Sequence, residues 1–171
     1  EIPVSLLASL YSRGHPPSVH AVRDEAFLDW RYQNPDWEYR AFSAGTNGRT
    51  DAAVVTGTQT DAEGVTTTNV VDVLPLAASD RRDRALRALL STVTASFPDA
   101  DLLAYCGTAI PRSVLAAHGF RHDGSFPLAQ LTSPTQLVAY DIGDDPDWSA
   151  GGVDIGEPNG WGLSYAELDA R

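Results

Sequence analysis

VTTTNVVDVLPLAASDRRDRALRALLSTVTASF, residues 65–97, changes its hydrophobic period half-way along, and the remainder of the chain has to pack around that change. Its first half is β-branched and closes in an apolar run over residues 70–76, the composition of a strand buried in the middle of a sheet. Past Pro75 the apolar residues Ala85, Leu86, Leu89, Leu90, Val93 and Phe97 recur at helical spacing, which predicts an amphipathic helix. Asp80 stands at the expected N-cap and Asp83 three residues on, an approximate capping box built from the shorter acid. A central strand feeding a capped helix aims backbone N–H groups and a partial positive charge at one point. An anionic ligand would bind there.

Upstream, Leu6, Leu7, Leu10 and Tyr11 give residues 2–12 a helical face that stops at Arg13-Gly14, before His15-Pro16-Pro17 breaks the chain. A second helix is expected from about Asp24, with Ala26, Phe27, Trp30 and Arg31 on one face, ending before Asn34-Pro35. Residues 38–44 alternate, Asn47-Gly48 is a hairpin turn and residues 52–58 form a second strand, so three strands make an antiparallel meander. Downstream of the main helix, residues 102–106 form a short apolar strand, and Pro111 opens a short helix over 111–117 that Gly119 stops. Two last strands are expected over 120–131 and 135–142. Residues 144–171 are acidic and Gly-rich and hold Trp148 and Trp161, which predicts a tail docked by aromatic anchors on a domain of residues 1–143. The expected fold is α+β, in the order α-α-β-β-β-α-β-α-β-β.

With 171 residues the chain is long enough for one domain with its own core. No segment has the uninterrupted apolar length of a membrane span, and no basic region followed by an apolar block opens the chain. A soluble, cytoplasmic protein is expected. The formal net charge is −11, all twelve basic residues are arginine, lysine is absent, and Asp heavily outnumbers Glu. A self-repelling surface of short carboxylates suits a cytoplasm holding molar salt, where the Debye length shrinks to about 3 Å, so a halophilic origin is expected. No basic stripe exists to replace phosphate counterions, which argues against nucleic acid as a partner. Cys106 is the sole cysteine, so an internal disulfide and a thiolate metal cluster are excluded, and its setting in LLAYC is that of a small buried hydrophobe. The first residue is Glu rather than Met, and a processed chain or a piece of a longer one is expected.

In this order of elements, Phe27-Leu28-Asp29-Trp30-Arg31-Tyr32 ahead of the meander and His118-Gly119-Phe120 near the end resemble the GNAT superfamily of acyl-CoA-dependent N-acetyltransferases. The resemblance covers residues 2–143, and FLDWRY followed by Asn34-Pro35 looks like the opening of the C-terminal domain of a tandem GNAT protein. It implies a mixed, mostly antiparallel sheet flanked by helices and splayed near its middle, with acetyl-CoA in the splay. The thiol arm would lie on the backbone of residues 70–73, Val71 and Val73 among them. The pyrophosphate would sit on the loop and first turn over residues 77–85, with Arg81, Arg82, Arg84 and Ala85. Implied chemistry is direct attack of an amine, from a small molecule or a peptide, on the thioester, with a base to take the amine proton and often a tyrosine to protonate the thiolate. Asp80, Asp83 and Ala85 stand where the family's phosphate loop has Gln or Arg, Gly, and Gly or Ala, and no glycine occurs between Gly64 and Gly107. Two carboxylates beside a diphosphate repel it by about 4 kcal/mol per close pair at an effective dielectric of about 20. Leu115 stands where the family's acid tyrosine would be.

The arginines at the helix opening suit bidentate contact with oxyanions, or else pair with Asp80 and Asp83 on a solvated face. Tyr105, beside the central strand, and Tyr140, on the last strand, are candidates for a substitute acid, the alternative being core tyrosines with bonded hydroxyls. Glu38 and Asp72 are candidates for the base, Asp72 because it interrupts an apolar strand and must find a partner. His118 and His122 straddle a helix end and a strand, so no metal site is expected from them, and Asp141, Asp144, Asp145 and Asp147 lack the spacing of a calcium loop. Two functions follow. One is acetyltransfer from acetyl-CoA to an amine; the other is a catalytically degenerate GNAT-like scaffold or dimerisation domain, partnering an active GNAT domain or a second copy.

Overall fold

A computed structural model describes residues 1–130 and 148–168. Four strands, β1 (Glu38–Thr46), β2 (Arg49–Thr60), β3 (Thr66–Leu74) and β4 (Leu102–Tyr105), lie in one sheet in sequence order. The first three form an antiparallel meander, and β4 joins parallel to β3. A parallel neighbour needs a long crossover, supplied here by α3 (Asp80–Ser96). Asn47 and Gly48 take φ of 52° and 73°, the paired left-handed geometry of a type I′ hairpin, so the expected β1–β2 turn forms as read.

Both faces of the sheet are covered, which is why residues 51–57 of β2 and 68–74 of β3 are buried without interruption, polar ones included. On one face Ala52, Val54, Val70 and Val73 meet Leu86, Leu89, Leu90 and Val93 of α3, together with Ile110 and Val114, the latter on α4 (Arg112–Ala117). On the other, Ala53, Val55, Val71 and Leu74 meet Leu7 and Leu10 of α1 (Val4–Tyr11), Leu28 of α2 (Glu25–Arg31), Tyr32 and Ala166. Each of those leucines contributes roughly 1.5–3 kcal/mol by leaving water. The β2–β3 register steps from Val55↔Asp72 to Thr56↔Val70, so Val71 is the extra residue of a bulge in the central strand.

Two expectations are corrected. Ser79, not Asp80, caps α3: its Oγ accepts from Arg82 N at 3.3 Å, and Asp80 and Asp83 lie in the first turn. Serine and aspartate serve equally well as caps, so the cap preference alone does not choose between these two neighbouring positions. Residues 120–130 form turns and a 3₁₀ turn (Leu128–Gln130) in place of the strand expected over 120–131. Gly124 N bonds locally to Asp123 Oδ1 and His122 Nδ1, and Pro127 has no ladder donor to give. The strand expected over 135–142, with Tyr140 and the aspartates 141, 144, 145 and 147, falls outside the described residues.

A small hairpin of β5 (Ser149–Ala150) and β6 (Val153–Asp154) precedes a C-terminal segment that runs back over the domain. Its backbone bonds the loop after α1: Val19 N donates to Gly160 O at 2.8 Å and Gly162 N to Val19 O at 3.0 Å. Of the two tryptophans, Trp161 is half-buried and Trp148 is 40% exposed, and polar ties to Arg23 and Arg31 also hold the segment. No described helix is long and apolar enough to cross a membrane.

Candidate functional site

β4 stops short of its neighbour. The β3–β4 pairs run from Thr67↔Leu102 to Val70↔Tyr105, while β3 continues to Leu74 with no strand partner on that side among the described residues. Beyond Tyr105 the chain swings away through Gly107, at φ 136°, where a Cβ would come 2.9 Å from Leu163 O, so only glycine fits. Between the diverging ends lies a cavity of about 370 Å³, lined among others by Asp72, Val73, Ala77, Tyr105, Ala109 and Ser164. Its position follows from the strand ends, and it is smaller than the cavity of about 910 Å³ near Trp37 and Tyr39, which lies away from the parting strands.

Tyr105 sits at the tip of β4 with its hydroxyl accepting from Ile110 N at 3.0 Å, which leaves the phenol proton free to donate. Burial pushes its pKa up to about 12, against the pull of the Ile110 and Ala109 N–H groups and of Arg82. Arg82 is fully buried and donates to Pro75 O at 2.6 Å, Ala109 O at 2.7 Å and Asp83 Oδ1 at 3.0 Å. It therefore ties the loop before α3 to the loop before α4, and its burial keeps it away from the surface where a phosphate would dock. Asp83 is turned to Arg82, and Asp80 lies at the rim of a second cavity, so neither carboxylate plugs the splay.

That second cavity, about 460 Å³, lies on the other side of the shared residues Ala77 and Ala78 and is edged by Arg13, Arg49 and Arg81, with Asp51 and Asp80. The first-turn N–H groups of Asp80 and Arg81 open onto this corner; Ser79 takes those of Arg82 and Asp83 through its side chain and carbonyl. Three guanidiniums against two carboxylates make it locally positive in a chain of net charge −11. Arg13 donates to Thr50 O, and Arg49 lies 3.6 Å from Asp51. Sequence reading took Arg13 only as part of a helix stop and did not single out Arg49; no local pattern joins positions on separate elements.

A second arginine organises the far wall. Arg23 is fully buried, donating through Nε to Asp72 Oδ2 at 3.0 Å, and by its other nitrogens to Ala21 O at 2.7 Å and Ser164 Oγ at 3.2 Å, with Glu167 Oε1 at 2.5 Å. Asp72 thus has the partner its position required, and it also faces Tyr32 Oη at 3.5 Å and Val73 N at 2.9 Å. Burial raises the Asp72 pKa despite Arg23. Burial alone would raise Glu167 as well, but the bond and charge of Arg23 outweigh it and hold Glu167 below the ordinary carboxylate range. For Arg23 the two carboxylates overcome the loss of water and hold the guanidinium charged.

The other expected residues scatter. Val73 lines the splay; Val71 is buried against the α1–α2 layer and offers only backbone. Arg81 edges the positive corner, Arg84 is exposed outside both cavities, and Ala85 packs into the core under α3. Glu38 is exposed at the start of β1, paired with Arg40 at 2.7 Å and lining the cavity near Trp37, not the splay. His118 bridges α4 to α3 through Val114 O and Arg87 O, and His122 bonds its own turn.

No protein-family model matches the chain, and no curated protein does either. Among solved structures, one described as a probable acetyltransferase superposes with a TM-score of 0.54 at 17% identity, covering 81% of this chain and 93% of that one. The fold is GNAT-like. A ribosomal-protein-alanine N-acetyltransferase from Brucella melitensis biovar Abortus 2308 aligns over 81% of this chain and 91% of its own, at 15% identity and a TM-score of 0.44. Within the GNAT-like frame, the gap between β3 and β4 is the splay, and the corner at Arg81 adjoins it at the start of α3.

Proposed function

We propose that this chain is an acetyl-CoA-dependent N-acetyltransferase domain, with the pantetheine arm in the splay and an amine as acceptor. The observation that carries the reading is the departure of β4 from β3 at Tyr105, with a cavity opening between the strand ends. Peptide groups of residues 71–74 on that side of β3 have no β4 partner and suit the amides of an extended ligand, as any strand edge does. The N–H groups of Asp80 and Arg81 with Arg13, Arg49 and Arg81 suit the phosphates, so the residues present fit the group.

Bound acetyl-CoA supplies an acyl carbon that an amine attacks, the C–N bond forming as the C–S bond breaks. Asp72 then takes the proton the amine nitrogen loses, its basicity raised by burial. Tyr105 keeps its proton at neutral pH and donates a hydrogen bond to the developing thiolate. The lysine-free acidic surface supports a halophilic, cytoplasmic setting, and FLDWRY supports a partner GNAT domain in the parent protein. A degenerate scaffold is the second reading, favoured by the Arg82–Ala109 bond that pins the two loops at the cavity together.

Calorimetric titration with acetyl-CoA and desulfo-CoA in molar potassium chloride tests the reading. Saturable binding, weakened about tenfold (about 1.4 kcal/mol) by Arg81→Ala for acetyl-CoA but unchanged for S-acetylpantetheine, is expected. No heat with either ligand, and no acetyl transfer, leaves the scaffold.

A further inference from the structure

We infer that the acceptor is a small, positively charged amine and not a polypeptide, because the C-terminal segment forms a fixed wall of the splay. This rests on the acetyltransfer reading and adds a substrate class to it. Gly162, Leu163 and Ser164 line the cavity together with Pro16 of the loop after α1. A polypeptide acceptor needs an open groove or a free backbone edge along which to lie. The segment's own backbone is spent, since both backbone groups of Val19 bond to residues 160 and 162 and the Leu163 carbonyl lies against Gly107, and the unpaired peptide groups of residues 71–74 are those the acyl arm would take.

The wall is not built to swing aside. Arg23 holds Ser164 and Glu167, and Arg31 donates to the carbonyls of Ala166 at 3.0 Å and Tyr165 at 2.9 Å. Ala166 is 3% exposed within the core under α1 and α2. At about 370 Å³ the cavity lies near the lower end of the range for ligand pockets, about 300–1,000 Å³. The acyl arm and the acceptor have to share it. Space remains for a short chain only.

Charge selects the class. The buried network at the wall holds two carboxylates, Asp72 and Glu167, against one guanidinium, Arg23, and Asp72 is the member that lines the cavity. With all three ionised, this trio carries one net negative charge in a low-dielectric setting, and Arg31, tied to carbonyls farther along the segment, does not line the cavity as Asp72 does. A cationic amine is drawn in; an amine carrying a carboxylate is turned away.

Initial rates with acetyl-CoA in molar potassium chloride are to be compared for a short aliphatic diamine, a small amino acid, and a peptide with a free N-terminus and an internal lysine, alongside direct measurement of acetyl-CoA binding. The diamine is expected to exceed both others in kcat/KM by roughly tenfold or more. Leu163→Ala enlarges the cavity and is expected to raise the peptide's relative rate, while the alkylation rate of Cys106, a half-buried thiol that interacts electrostatically with Tyr165 of the segment, stays unchanged and shows the wall still docked. Glu167→Gln removes the unbalanced charge and is expected to narrow the preference for diamine over amino acid. Acetyl-CoA binding with the peptide turned over as fast as the diamine overturns the acceptor class and leaves acetyltransfer standing. Binding with transfer to none of the three also overturns it. Failure to bind acetyl-CoA at all removes the acetyltransfer reading, and the acceptor class with it.

Discussion

Replacing Arg23 by methionine keeps the length of the side chain and deletes the group that joins three parts of the molecule. The wild-type guanidinium reaches Asp72 on β3 at 3.0 Å, the Ala21 carbonyl at 2.7 Å, Ser164 at 3.2 Å and Glu167 at 2.5 Å, all with no exposure of its own. Removing it strands two carboxylates away from water, and breaking a buried pair in this way costs about 3–5 kcal/mol. Against a total stability of about 5–15 kcal/mol this is a large fraction. At about 2–4 °C per kcal/mol for a domain of this size, Tm is expected to fall by roughly 6–20 °C. Arg40→Met is the control: its pair with Glu38 is half-exposed or more on both sides, so its loss amounts to at most about 1 kcal/mol. Thermal unfolding followed by circular dichroism in low and molar salt separates the two, because only the surface pair is screened. Adding Glu167→Gln to Arg23→Met removes one stranded charge and is expected to recover part of the loss. If Arg23→Met melts no earlier than Arg40→Met, the network does not hold the fold together and the fixed wall loses its anchor.

Arg82→Lys keeps the charge but not the fork that spans Pro75 O and Ala109 O; urea unfolding is expected to show a loss of about 2–3 kcal/mol, and wild-type stability would mean that the two loops are joined by other means. Tyr105→Phe is expected to lower kcat by roughly 10²–10⁴-fold with little change in the KM for acetyl-CoA, and an unchanged kcat would remove the phenol from the chemistry. The Glu167 carboxylate, held low by Arg23, stabilises the fold above its unfolded pKa of about 4.3, and that contribution fades as pH falls through the lower folded value. Asp72 runs the other way: its raised pKa means that acidification relieves the burial of its charge. Hydrogen exchange at Ser164 N, which donates to Glu167, should therefore accelerate in acid before exchange in β3 does, and Glu167→Gln should abolish that ordering.

What could be read in the chain was whatever repeats locally. The change of period at Pro75, the Asn47-Gly48 turn and the start of the second helix near Asp24 each depend on neighbours within a few positions, and each formed as expected, Asp24 itself capping the helix by accepting from Phe27 N at 2.8 Å. Arg82 was legible and overlooked: it stands four residues before Leu86 and eight before Leu90, on the apolar stripe of α3, so its side chain had to enter the core. The strand expected over 120–131 ignored two signals against it, Asp123-Gly124 and Pro127. The tie between Arg23 and Glu167 had no such trace. Nothing periodic connects a residue before α2 with one near position 167, and a buried ion pair is chosen by tertiary geometry alone. For the same reason Arg13 and Arg49 met Arg81 only once the sheet and α1 were in place.

The bond from Ala21 N to Glu167 joins positions 146 apart in sequence. At the pace of ribosomal synthesis, about 5–20 residues per second, roughly 7–29 s pass between the emergence of one and of the other. Once Asp72 has emerged, its pair with Arg23 still lacks Ser164 and Glu167, and the layer of α1 and α2 lacks Ala166 beneath it. The buried network is thus closed by a late-made segment, and a chain stalled short of Ser164 would present chaperones with an ion pair left uncovered at the cavity wall.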